Sequence, residues 1–199
     1  MIPTRMNPMG WQPYGRKLSY LESTGTQYID TGVLPHKDMI VDIDCYFAAS
    51  LNEYLALFGA RVPDASNLNA FIIWHDIYYT QKPRFDYGQD MVSADNYTYP
   101  ITNFRKEGTK NYINGTLVGE NTAVSDLVCN YTCRLFSAGS LDGRHAKIKV
   151  SRCRIWQTGT SSLTRDLIPV LDKSGVPCMY DLCTRSLFYN AGSGTFNYA

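Results

Sequence analysis

The chain has 199 residues, which is enough for one domain with a buried core. Its formal net charge of +1 gives no overall field that would favour nucleic acid as a partner. Aromatic residues make up 13%, and the 15 glycines and 9 prolines are spread along the sequence. This composition favours β-structure with many turns.

No long apolar run is present, and the N-terminus lacks the apolar stretch of a secretory signal. We therefore expect no membrane span. We expect a cytosolic chain, a chain whose leader has been removed, or one that leaves the cell by another route, such as a virus particle released by lysis.

Residues 1–17 are predicted to form an extended N-terminal arm ahead of a single domain over 18–199. Prolines and methionines interrupt any periodicity there, and all three charges of the segment are positive. Such a segment is either a disordered terminus or an arm that becomes ordered on a partner. If it docks, the candidate contact residues are Arg5, Trp11, Tyr14, Arg16 and Lys17.

From residue 18 onwards the pattern is typical of short strands. Residues 39–47, MIVDIDCYF, alternate between apolar side chains and the polar set Asp42, Asp44 and Tyr46, which predicts a half-buried antiparallel strand. Further strands are predicted over 54–61 and 83–89. Residues 69–81 are apolar on both faces and predict a central strand, or two strands joined by a tight bend.

Turn residues separate the later strands. Asn114-Gly115 between strand formers predicts a type I′ hairpin, and Asp142-Gly143 repeats this pattern. Lys173-Ser174-Gly175 predicts another turn. A change of apolar parity within residues 146–156 predicts a β-bulge near Ser151-Arg152. About twelve short strands and no amphipathic helix indicate a sandwich or a barrel.

The six cysteines form no Cys-x-x-Cys pair. Zinc binding by Cys129, Cys133, Cys178 and Cys183 is an alternative, although their spacing fits no common site. We expect reduced, mostly buried thiols.

Several segments occur together and carry a resemblance. They are YLESTGTQYIDTGV (20–33), LFGAR (57–61), NYINGTLV (111–118), AKIKVSRCRIW (146–156) and LIPVLDKSGVPCMYDLCTRSLFYNAGSGTF (167–196). This set resembles the concanavalin A-like, LamG-type jelly-roll modules found in phages and gut bacteria, over roughly residues 18 to 198. The resemblance implies an all-β antiparallel jelly-roll β-sandwich. It also implies that TQYIDTG and RSLFYNAGSGTF close the same sheet, and that Ser-Thr-Gly-Thr (23–26) is a structural turn.

Some enzymes of that superfamily hydrolyse β-glucans with acidic residues on one strand. Glycoside hydrolysis needs two carboxyl groups about 5 to 10 Å apart. The nearest equivalent here is Asp42-x-Asp44, which shares a sheet face, but a pair of strand aspartates is more often simply a solvated face. We assign no catalytic residue.

Calcium is the other possibility that the resemblance raises. A hard cation needs several oxygen ligands, and Asp64, Asn67 and Asn69 lie in one loop whose composition is also that of an ordinary loop. We assign no cofactor and no metal, and calcium stays an alternative.

A carbohydrate site would combine aromatic platforms with polar side chains. Trp74, Asp76 and Tyr78 share one parity, and Arg84 and Tyr87 follow closely. These five are the candidate carbohydrate-binding residues, with a core position for Trp74 as the alternative.

The functional prediction is a non-enzymatic structural and binding module on a virion surface. It would be a capsid decoration or a tail- or fibre-associated protein in a homo-oligomer or symmetric assembly. Its partners would be capsid or tail proteins and host cell-surface glycans, without nucleic acid or membrane insertion. The alternatives are a glycoside hydrolase or lyase using Asp42 and Asp44, and a carbohydrate-binding adhesin at the bacterial surface or outside the cell.

Overall fold

The computed structural model describes residues 12–48, 55–63, 69–76, 82–124, 126–141, 143–159 and 162–199. These residues contain strands and turns but no helix, so they include no helix that could cross a membrane. In chain order the strands are β1 (Arg16–Lys17), β2 (Leu21–Glu22), β3 (Ile29–Asp30), β4 (Ile40–Phe47), β5 (Leu55–Arg61), β6 (Ala70–Asp76), β7 (Lys82–Gly88), β8 (Asp90–Ser93), β9 (Ile101–Glu107), β10 (Lys110–Ile113), β11 (Thr116–Glu120), β12 (Arg134–Leu135), β13 (Lys149–Trp156), β14 (Arg165–Leu171), β15 (Pro177–Asp181), β16 (Leu187–Phe188) and β17 (Asn197–Tyr198).

The strands form two antiparallel sheets. Sheet A has the order β11-β10-β9-β4-β13-β14-β15-β16, with β1 added to β14 and with β2 between β13 and β17. Sheet B has the order β3-β12-β5-β6-β7-β8. The all-β sandwich prediction is confirmed. The jelly-roll connectivity and the division into arm and domain remain predictions.

The main core lies between the inner faces of the two sheets. Val41, Ile43 and Phe47 of β4 face it, as their alternation predicted. Large aromatic side chains from both sheets fill the interior. Phe85 of sheet B and Phe104 of sheet A, for example, are both fully buried and have ring centroids 6.4 Å apart. Burial of this apolar area is the main term that holds the sheets together.

The turns at Asn114-Gly115 and at 173–175 and the bulge in β13 are present as predicted. Asn114 and Gly115 both have positive φ, at 50° and 77°, as a type I′ hairpin requires. The register between β13 and β4 shifts between Val150 and Arg152, which confirms the bulge. Asp172 Oδ1 accepts hydrogen bonds from the amides of Ser174 and Val176, both at 2.8 Å, and holds the predicted turn.

No regular strand pair flanks the second predicted turn in the part of the chain that the structure describes. Asp142 lies outside the described residues, and Ala138 and Leu141 form an isolated bridge before it. On the other side, β13 begins only at Lys149. The Ala146 amide donates to the backbone oxygen of Phe136 at 2.8 Å across the turn, and the backbone here also contacts β5, including a bridge between Ala56 and His145.

The two terminal segments lie side by side, with the Ala191 and Ser193 amides donating to the backbone oxygens of Tyr28 and Thr26 at 2.9 and 3.1 Å, but they do not close one sheet. β2 pairs with β17, with Glu22 opposite Asn197. Ile29–Asp30, which was expected to close the same sheet, instead joins sheet B beside β12, so that expectation is wrong for β3. The cause is the turn at 23–27, where Gln27 Oε1 accepts a hydrogen bond from the Thr24 amide at 2.8 Å. The turn carries the chain from sheet A to sheet B and is structural, as predicted.

Candidate functional site

Asp42 and Asp44 lie on the outer face of sheet A and are bound to neighbouring strands. Asn103 Nδ2 donates to both carboxylates, at 2.6 Å to Asp42 Oδ1 and 3.1 Å to Asp44 Oδ1. Arg105 Nη1 lies 2.8 Å from Asp42 Oδ2, and Arg154 Nη2 lies 2.9 Å from Asp44 Oδ2. The two carboxylates therefore connect β4 to β9 and β13 in a network of charged side chains.

The network continues along both neighbouring strands. Arg105 also donates to Glu107 at 2.6 Å, and its guanidinium carbon lies 5.5 Å from the centre of the Trp156 ring. Arg152 makes two hydrogen bonds of 2.7 Å with Asp166 of β14. Bidentate hydrogen bonds between an arginine and a carboxylate on neighbouring strands hold those strands in register.

The predicted carbohydrate-binding residues are divided between two faces of sheet B. Trp74 and Arg84 are cross-strand partners on the outer face and are both buried. Tyr87 points into the main core, where its hydroxyl donates to the backbone oxygen of Lys37 at 2.9 Å. Tyr78 and the side chain of Asp76 lie outside the described residues. Carbohydrate binding by this set stays a prediction, and the burial of Trp74 favours its core alternative.

A buried carboxylate fixes Trp74 and Arg84. Trp74 Nε1 donates to Asp86 Oδ2 at 2.5 Å, and Arg84 Nη2 reaches the same oxygen at 3.3 Å. Arg84 Nε lies 2.9 Å from Asp86 Oδ1, as an ion pair without hydrogen-bond geometry. Burial raises the pKa of Asp86, although the charge of Arg84 opposes the shift.

The described arm residues contact the sandwich. Gly15 donates its backbone N–H to Leu171 at 2.9 Å, and the Tyr14 ring lies 5.0 Å from that of Tyr180. Arg16 and Lys17 form β1 with exposed side chains. Arg5 and Trp11 lie outside the described residues, so docking by the arm stays a prediction.

No cluster of three or more potential metal ligands (His, Cys, Asp or Glu) occurs among the residues that the structure describes. Asp64 and Asn67, two of the calcium candidates, lie outside that part of the chain. Five cysteines are buried, and Cys183 is exposed. Burial raises the pKa of Cys45 to about 12, with the negative charge of Asp44 adding to the shift. Burial also raises the pKa of Cys133 and Cys153.

An open groove of about 430 Å³ lies between the loop after β8 and the β10–β11 hairpin. It offers a carboxylate, amides, hydroxyls and one half-buried tyrosine. This combination suits ligands that are rich in hydroxyl groups. The lining residues are Asp95, Asn96, Tyr97, Thr98, Ile113, Asn114 and Thr116.

The hairpin turn holds the groove in shape. Asn114 Oδ1 accepts hydrogen bonds from the Thr102 amide at 2.8 Å and from the Asn103 amide at 3.1 Å. Its Nδ2 donates to the backbone oxygen of Pro100 at 3.2 Å. The Tyr97 ring packs edge-on against Tyr99, with centroids 5.3 Å apart. The Asn114 side-chain amide is therefore used to hold the backbone around the groove. A ligand would contact the other side chains of the lining.

Sequence reasoning missed this groove. The run Asp-Asn-Tyr-Thr at 95–98 has a suitable composition, but it resembles any polar loop. Only the pairing of β9 with β10 brings the loop beside the Asn114-Gly115 turn.

Comparison with known protein families and with curated proteins finds no match to this chain. The groove and the arginine–carboxylate network are therefore interpreted from their own chemistry.

We predict that thiol reactivity in the native chain is limited to Cys183. A thiolate is the reactive form, and the pKa values of all six thiols are raised, but five of the thiols are buried and only Cys183 is exposed to a reagent. Alkylation followed by peptide mass spectrometry at pH 8 should modify Cys183 alone, and all six cysteines after denaturation. Rapid native labelling of Cys133 or Cys153 would contradict the described core.

Proposed function

We propose that the chain is a non-enzymatic structural and binding module displayed on a surface, in its most specific form a phage virion component. It would sit on the capsid or be associated with a tail or fibre, dock through the N-terminal arm, and expose its groove to glycans. The observation that carries the binding part is the open groove at 95–98 and 113–116. The virion part rests on the sequence resemblance.

The chemistry of the groove favours neutral, hydroxyl-rich glycans. Asn96 and Thr98 are exposed and can donate to and accept from sugar hydroxyls. Asp95 Oδ1 forms an ion pair with Lys82 Nζ at 2.6 Å. The negative charge in the groove lining is therefore compensated by a neighbouring positive one. Tyr97 supplies the aromatic surface that a sugar ring commonly packs against.

The hydrolase alternative draws less support from the described site. Asp42 and Asp44 would have to act as acid and base or nucleophile, but the oxygens of both carboxylates contact Asn103 or arginine side chains. Using them in catalysis would disrupt the network that joins β4 to its two neighbouring strands.

The docking role predicts where the chain is found. In particles purified from a culture releasing phage that encode it, the chain should be present in a fixed copy number, and residues 1–11 should be protected from protease. Deleting residues 1–11 should abolish incorporation and leave the melting temperature of the isolated protein within a few degrees of wild type, because the contacts that Tyr14, Gly15 and β1 make with the sandwich are all retained. Undiminished incorporation of the deletion variant would contradict docking through the arm.

The binding role predicts that the Tyr97→Ala variant binds an immobilised neutral glycan about tenfold more weakly, the loss expected for one aromatic contact. Asn96→Ala should weaken binding without removing any core packing. Tyr131→Ala is the matched control, since Tyr131 is 41% exposed and lies outside the groove. Equal loss in all three variants would contradict the groove as the site. Shortening of the glycan during the assay, lost in Asp42→Asn and Asp44→Asn, would favour the hydrolase alternative.

A further inference from the structure

Lys106 is an unusual residue in the core of the sandwich. It lies on β9 between Arg105 and Glu107 of the outer network, but its own side chain points inward and is fully buried. Lysine is almost never fully buried unless it has a compensating partner. Its Nζ atom lies 5.2 Å from the ring centres of both Phe71 and Tyr87. The amine is therefore enclosed by aromatic rings and shielded from water.

The hydrogen bonds of Lys106 go to two side-chain amides. Its Nζ lies 2.8 Å from Asn111 Oδ1 and 2.9 Å from Asn121 Oδ1. Both asparagines are buried, and Asn111 is the cross-strand partner of Lys106. Among the described residues, no carboxylate accepts a hydrogen bond from this amine. A primary amine and two amide carbonyls are thus held together in the buried interior.

The two amides are not equivalent. Asn111 Nδ2 donates to Asn121 Oδ1 at 2.9 Å, so the Asn121 carbonyl oxygen accepts a second hydrogen bond in addition to that from Lys106. Asn121 Nδ2 in turn donates to the backbone oxygens of Phe85 at 3.1 Å and Asp90 at 3.4 Å. Asn121 therefore has a polarised carbonyl and a fixed orientation, which favours it as the electrophile. Asn111 is positioned to stabilise negative charge on that oxygen.

The burial also affects the protonation of the amine. Removal from water lowers the pKa of Lys106 to about 7, although the negative charges of Asp86 and Asp90 oppose the shift. A large fraction of the side chain is then the neutral, nucleophilic amine at neutral pH, whereas an exposed lysine is almost entirely protonated.

We propose that Lys106 and Asn121 join in an intramolecular isopeptide bond. In the structure, Lys106 Nζ lies beside Asn121 Oδ1. A rotation of the lysine side chain brings the Nζ lone pair onto Asn121 Cγ, and a Cγ–Nζ bond forms. The carbonyl electron pair moves to Oδ1, where the Asn111 amide donates to it. The pair then returns as the Cγ–Nδ2 bond breaks. The proton lost by Nζ passes to the departing nitrogen, which leaves as ammonia. Nothing is oxidised or reduced.

The bond would secure one edge of the sandwich. Asn121 directly follows β11, the edge strand of sheet A, and Lys106 lies two strands further in. The link would close residues 106–121 into a covalent loop that contains the whole β10–β11 hairpin. Without such a link, an edge hairpin is among the parts of a sheet that unfold most easily.

The test is the intact mass of the full-length chain, purified folded and measured in denaturant after incubation at pH 8. We expect a mass lower than the sequence mass by one ammonia molecule. A peptide containing Lys106 should be found joined to one containing Asn121. Lys106→Met and Asn121→Ala should restore the full mass, Asn111→Ala should slow the loss at least tenfold, and the matched control Lys110→Met should leave it unchanged.

Three results would overturn the proposal. The first is a wild-type chain that keeps its full mass after prolonged incubation in the folded state. The second is an ammonia loss that persists in Lys106→Met, which would come from cyclisation of another asparagine, such as Asn114 before Gly115. The third is a loss abolished by Asn111→Ala but not by Asn121→Ala, which would make Asn111 the electrophile. Because peptide mapping of the wild type is decisive, the conclusion does not depend on how well the variants fold.

Discussion

The pairing of β4 with β9 on one side and β13 on the other is the interaction on which the rest of the molecule depends. Because side chains alternate across a strand, these three strands must satisfy an apolar interior and a solvated surface at the same time. Inward residues such as Ile43 and Phe104 pack in the core, while Asp42 and Arg105 form ion pairs outside. The bulge beside Ser151 keeps both patterns in register after the parity of β13 changes.

The same strands connect the two sites of interest. β9 begins next to Pro100, at the groove, and ends beside the buried Lys106. Its partner β10 leads into the Asn114-Gly115 turn, whose amide frames the groove, and also supplies Asn111 to the interior. A single hairpin thus lines the open groove at one end and contacts the buried Lys106 amine at the other. Securing that hairpin would also preserve the groove.

Local patterns in the sequence predicted the local features well. The alternation over 39–47, the positive-φ turn at Asn114-Gly115 and the bulge near Ser151 each depend on neighbouring residues, and all are confirmed. Features that depend on distant pairing were missed. No element was predicted over residues 101–107, which form β9, so the burial of Lys106 was not foreseen. The sequence alone could not distinguish a buried Trp74 from an exposed one. The burial of a strand face depends on which distant parts of the chain pack over it.

Native-state hydrogen exchange tests the central role of β4 most directly. If β4 is the centre of the cooperative unit, the amides of Val41, Ile43 and Cys45 exchange only when the whole domain unfolds. Their opening free energy should then equal that of global unfolding, and the edge amides of β8 and β11 should exchange much faster. Exchange of the β4 amides at the rate of Leu117 or Val118 would contradict this account of the fold.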